Sequence, residues 1–86
     1  MSVTSVLTEV MHERDRQHDK WGEQNHSRLL WLAILVEEVG EVAKASLEAN
    51  PEQCRRELIQ VAAVAVAAIE SFDRLYALSK GNSENG

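Results

Sequence analysis

Proline and cysteine each occur once in the 86 residues, glycine four times, and aromatic residues make up 5%. A lone cysteine, Cys54, excludes an internal disulfide and fits a reducing cytosol, so a cytoplasmic protein is expected. Long apolar runs are missing. The longest, Val61 to Ile69, has nine residues, against the ~20 that a membrane-spanning helix needs, so no membrane partner is expected. No apolar N-terminal segment follows a basic flank, and no signal peptide is expected. Positive charge is scarce, with 9 Lys and Arg against 14 Asp and Glu for a net −5. Without a basic face to neutralise phosphates, nucleic acid is excluded as a partner. A single nucleotide is not, because a metal can carry its charge.

What the chain has is helical periodicity and carboxylates. Its length predicts one domain with a limited core, marginal alone. Val3, Val6, Leu7, Val10 and Met11 recur at three and four, which predicts a first helix over 2 to about 19, capped by Ser2 and highly charged in its second half. The stretch 20–27, KWGEQNHS, breaks the period, with Gly22 and Asn25 suited to a turn and Ser27 to the next cap. The second helix is predicted over 28–49, with Leu32, Leu35, Val36, Val39, Ala43 and Leu47 as its main core stripe. Leu30, Trp31 and Ile34 widen that stripe at one end. Asn50-Pro51-Glu52 reads as cap, first helical position and dipole-matched acid. The third helix is predicted from 51 to about 79, stopping at Lys80-Gly81. The fold class is therefore all-α, one helical domain over 1–80 with a disordered tail over 81–86.

The carboxylates are patterned. In a helix, positions three apart lie within ~60° of each other, so Glu38 and Glu41 share a face, as do Glu57 and Gln60. Ile34 and Ala45 continue the row of the first pair. Residues 58–69 read LIQVAAVAVAAI, with Gln60 the only polar side chain. Such acids are expected to be partly desolvated. Like charges ~4 Å apart repel by roughly 4 kcal/mol at an effective dielectric of 20, so the cluster must take up protons or bind a cation. Oxygen donors favour Mg²⁺, with Mn²⁺ possible. The same spacing also describes ordinary surface glutamates beside a core stripe. His12, His18 and His26 form no metal spacing with them. Trp21, among Lys20, Gln24, Asn25 and His26, can stack on a base or simply cover the core. Gly40, between Glu38 and Glu41, costs ~1 kcal/mol against Ala and marks either close approach by another group or nothing.

A helix that is apolar all round from Leu58 to Ile69 must be buried, and this chain is too short to cover it. A second copy is expected to do so, in a homodimer or dimer of dimers whose four-helix core is built from helices two and three of each copy.

The run E-E-V-G-E-V followed by E-L-x-x-V resembles the MazG-like all-α nucleoside triphosphate pyrophosphatases, whose relatives include the dCTP pyrophosphatases and the dimeric all-α dUTPases. Their pattern is E-x-x-E on one helix and E-x-x-D on the next. Glu38 and Glu41 match the first part, Glu57 opens the second, and fifteen residues lie between Glu41 and Glu57. KWGEQNHS resembles the segment those enzymes lay over the base, which implies Lys20, Trp21, Gln24 and Asn25 as substrate-binding residues. The resemblance covers about residues 13–75. It implies Mg²⁺-dependent hydrolysis of a nucleoside triphosphate to the monophosphate and pyrophosphate, with Glu38, Glu41, Glu57 and Gln60 at the metal. Glu37 is the candidate to orient or deprotonate the attacking water. Gln60 stands where the family has Asp, which implies weaker metal affinity or the loss of one of two metals. The family's phosphate-holding residues after the third helix are also missing. Arg55, Arg56, Lys44, Lys20 or a residue of a second copy would replace them. The alternative is a non-catalytic nucleotide- or partner-binding helical dimer of the same fold.

Overall fold

The computed structural model describes residues 2–85, with side chains over 2–77. The described residues form three α-helices and no strand: α1 (Val3–Trp21), α2 (Arg28–Leu47) and α3 (Pro51–Asn85). All three expected N-caps are made. Ser2 Oγ accepts from Ser5 N at 3.2 Å, Ser27 Oγ from Leu30 N at 3.2 Å, and Asn50 Oδ1 from Gln53 N at 3.1 Å. Each satisfies one donor that a helix start leaves open.

The helix ends depart from expectation. α1 continues to Trp21, so Lys20 and Trp21 occupy its last turn and not the loop. It stops because Gly22 adopts φ +72°, ψ −168°, a conformation essentially reserved for glycine, and returns its N–H to His18 O at 2.7 Å. α2 ends at Leu47, two residues before the expected end. There Asn50 N donates to Ala45 O and Ala49 N to Ser46 O, the paired bonds of a Schellman turn. Ala49 carries the left-handed φ of +54° that this turn requires. The backbone of α3 runs past the expected stop at Lys80-Gly81 to Asn85. The expected disordered tail over 81–86 falls on residues whose side chains lie outside those described, and Gly86 lies outside altogether.

α1 and α2 both pack on α3. Trp31, Val64 and Ala67 form the buried centre, with Ile34, Leu35 and Ala68 against it. The inward face of α2 is therefore Trp31, Ile34, Leu35, Glu38, Val42 and Ala45. Within one chain this is not the predicted core stripe. Of the stripe's residues Leu35 alone is half-buried, whereas Leu32, Val36, Val39, Ala43 and Leu47 are exposed. The N-terminal half of α2 is apolar nearly all round, so its period could not say which face α3 takes. The stripe of α1 is corrected too: Val10 is buried, but Val3, Leu7 and Met11 are exposed. Nor is α3 covered within one chain. Leu58, Ile69, Phe72 and Tyr76 remain about half exposed or more. Gly40 has nothing within 4 Å of where a Cβ would stand, so no other element among the described residues approaches it closely.

Candidate functional site

α1 and α2 flank α3 and leave a cleft between them, floored by α3. Its lining is Gln17 and Trp21 from α1, Gln24 from the loop, Ile34 and Glu38 from α2, and Gln60 and Val64 from α3, around a hollow of about 200 Å³. The loop that closes one end is tied down. His26 N donates to the hydroxyl of the fully buried Ser71 at 3.3 Å, and the His26 ring lies 4.8 Å from that of Trp31. Arg74 Nε donates to Asn25 Oδ1 at 2.9 Å and its Nη2 to Gln24 O at 3.1 Å. These anchors fix where Trp21 and Gln24 stand relative to α3.

A second hollow, of about 290 Å³, lies further along the seam of α2 and α3. Glu41, Lys44 and Glu48 line it from one side, Gln53 and Glu57 from the other. Glu57 Oε1 accepts from Gln53 Nε2 at 2.6 Å. Glu38 sits between the two hollows in electrostatic terms. Burial holds its pKa above the ordinary carboxylate value, and Glu57, Glu37, Glu41 and Glu13 add repulsion in that order. Every one of these influences disfavours its charged form, and none comes from a cation. Of the acids expected to be partly desolvated, Glu38 is half-buried with Ile34 and buried Ala45 on its row, and Glu57 is half-buried too, as is Gln60. Glu41 is exposed, like Glu37, which corrects the expectation for the second member of the first pair.

The nine candidate residues divide in space. Trp21, Gln24, Glu38 and Gln60 come together in the cleft; Glu41 and Glu57 share the neighbouring hollow. Glu37 lines neither hollow and reaches Glu38 only through its charge. Lys20 places its ammonium 4.8 Å from the Trp21 ring centroid, and Asn25 is engaged with Arg74 and Glu23. The hard oxygen donors suit Mg²⁺ or Mn²⁺ chemically. Among the described residues, however, no three His, Cys, Asp or Glu side chains are gathered as a metal site.

Two residues of the site went unnoticed in the sequence. Gln17, 7% exposed, is the only buried polar residue of α1. Its Nε2 donates to Gln60 Oε1 at 3.1 Å and lies 3.3 Å from Glu13 Oε2. Glu13, whose side chain is 12% exposed, is held by Arg16. Bonding to Arg16 lowers its pKa chiefly, with smaller help from Gln60 and Gln17 against the opposing effect of burial. Glu13 and Gln17 are an i, i+4 pair on one face of the predicted first helix, but nothing in the sequence says that another helix covers that face. No protein-family model, no curated protein and no solved structure matches this chain.

Proposed function

We propose that the protein is a Mg²⁺-dependent nucleoside triphosphate pyrophosphohydrolase, acting as a homodimer on a nucleotide of non-standard or deoxy type. One observation carries the reading: Glu38, a half-buried carboxylate whose pKa is raised by burial and by the charges of Glu57, Glu37, Glu41 and Glu13, lines an aromatic and amide-lined cleft. Such a group is stabilised by a proton or a divalent ion. A bound Mg²⁺ would supply charge neutralisation at the phosphates and an activated water. Glu38, Glu41 and Glu57 are the residues to hold it, once side-chain rotation across the α2–α3 seam brings their oxygens together. Glu37 orients the water. The Trp21 ring stacks on the base, and Gln24 reads its edge. The hollow of about 200 Å³ is smaller than a complete small-molecule site of ~300–1,000 Å³. The phosphates therefore extend from it along the carboxylate seam.

The second copy is part of the proposal. Leu32, Val36 and Val39 on α2 and Leu58, Ile69 and Phe72 on α3 are exposed in one chain. Their burial between two copies supplies the missing cover and a four-helix core. A reducing cytoplasm suits the single free Cys54.

The test is pyrophosphate release from a panel of nucleoside triphosphates with Mg²⁺. Release is expected from the wild type, falling at least ~100-fold in Glu38→Gln. No release from any nucleotide, with nucleotide-dependent thermal stabilisation retained, would favour the non-catalytic binding dimer. The neutral Gln60 and the absence of a gathered acidic triad among the described residues are what that second reading rests on.

A further inference from the structure

Position 60 stands at the junction of all three helices. Gln60 lines the Trp21 cleft on one side. On the other it lines a polar groove of about 340 Å³ with Glu9, His12, Glu13, Arg16, Arg55 and Arg56. Its carbonyl oxygen accepts from Gln17 Nε2 at 3.1 Å. Gln17 in turn donates to a carboxylate oxygen of Glu13 at 3.3 Å, and Arg16 bonds both oxygens of that carboxylate. Gln17 thus links the Gln60 carbonyl on α3 to the Glu13 carboxylate on α1. An aspartate or glutamate at position 60 could still accept from Gln17, but it would add a negative charge beside Glu13. It would set two half-buried carboxylates against each other in a site already crowded with acid.

We propose that Gln60 is a positioning residue: its carbonyl accepts from Gln17 of α1 at the floor of the cleft and, through Gln17, ties α3 to the Glu13 carboxylate, without itself ligating a cation. The amide is then a requirement of this chain, and not a weakened copy of an acidic ligand. α1 contributes the fourth carboxylate of the field around Glu38, fixed by Arg16 and Gln17. Only the cation arm of the test rests on the pyrophosphohydrolase reading; the hydrogen-bond arm does not.

Thermal melts without divalent metal at pH 8 and Mg²⁺ titration calorimetry are run on the full chain as wild type, Gln60→Glu, Glu13→Gln and the double variant. Gln60→Glu is expected to lose about 4–8 °C, the response of a domain this size to ~1 kcal/mol of repulsion between two half-buried carboxylates. The double variant, which exchanges amide and carboxylate across Gln17, is expected to recover at least half of that loss. Mg²⁺ is expected to bind Gln60→Glu no more tightly than the wild type. An unchanged melting temperature with Mg²⁺ bound tenfold more tightly would overturn the proposal, as would losses that simply add in the double variant. If Gln60→Glu does not fold, the wild type decides. Its Gln60 side-chain amide protons are expected to keep their nuclear Overhauser contacts to Gln17 as Mg²⁺ is added, and loss of those contacts would make Gln60 a ligand. If Mg²⁺ binds none of the four proteins, the pyrophosphohydrolase reading falls, and the thermal coupling still decides the role of Gln60.

Discussion

Glu38 is where sequence pattern and structure meet most closely. The row Ile34, Glu38, Glu41, Ala45 announced a carboxylate against apolar neighbours, and Glu38 is half-buried and repelled by four others. Its folded pKa is raised, so the folded state holds this proton more tightly than the unfolded chain. The stabilisation is complete below the unfolded value near 4.5 and is lost as pH rises through the raised folded value. Glu13 and Glu9 have the opposite sign. Their depressed pKa values contribute stability above that value, and it is lost as pH falls through the folded ones. In metal-free buffer above pH 6, Glu38→Gln is therefore expected to melt a few degrees higher than the wild type, with the difference vanishing near pH 4. A metal-free mutant that melts lower at pH 7 would mean that the glutamate is paired. The roles of Gln17 and Glu13 were illegible beforehand, because a polar residue in a charged half-helix gives no sign of whether another helix covers it.

At the scale of the elements, helix starts were readable and helix ends were not. Ser2, Ser27 and Asn50 each cap by a local bond between side chain and backbone, three residues apart, which sequence spacing encodes directly. Ends depend on whether a residue will accept a positive φ. Gly22 does so freely and ends α1. Ala49 does so against its own Cβ and ends α2 before the sequence pattern said it should. That strain is removable. Ala49→Gly is expected to stabilise the fold by about 1 kcal/mol, the left-handed penalty of a non-glycine residue, or ~4–8 °C in melting temperature. Its Schellman bonds, from Asn50 N to Ala45 O and Ala49 N to Ser46 O, need no side chain at 49. A variant that melts no higher would show that the turn relaxes away from φ +54°. The inward face of α2 was beyond sequence reasoning for a different reason. With Leu, Val and Ile on nearly every side, the period fits two faces, and only α3's own register selects Trp31, Ile34 and Ala45.

At the scale of the whole molecule, the all-α class and three-helix count were legible because periods of 3.6 persist over long stretches. The composition also foretold a shortage of cover, and one chain leaves Ile69 60% and Val36 59% exposed. If a second copy covers them, Ile69→Asp forfeits roughly 1.5–3 kcal/mol of apolar burial and adds an unpaired charge. It is expected to sediment as a monomer with a lower melting temperature, where the wild type sediments as a dimer. A wild type that sediments as a monomer at micromolar concentration would remove the four-helix core from the account. The proposal on which the site depends is more local: a divalent ion draws Glu38, Glu41 and Glu57 together at the α2–α3 seam and relieves their repulsion. The melting temperature as a function of Mg²⁺, in the wild type beside Glu38→Gln, tests it most directly. Mg²⁺ at a hundred times its dissociation constant is expected to stabilise the wild type by about 2.7 kcal/mol, while the variant starts higher and stays flat. Equal curves for the two proteins, rising or level, would contradict it.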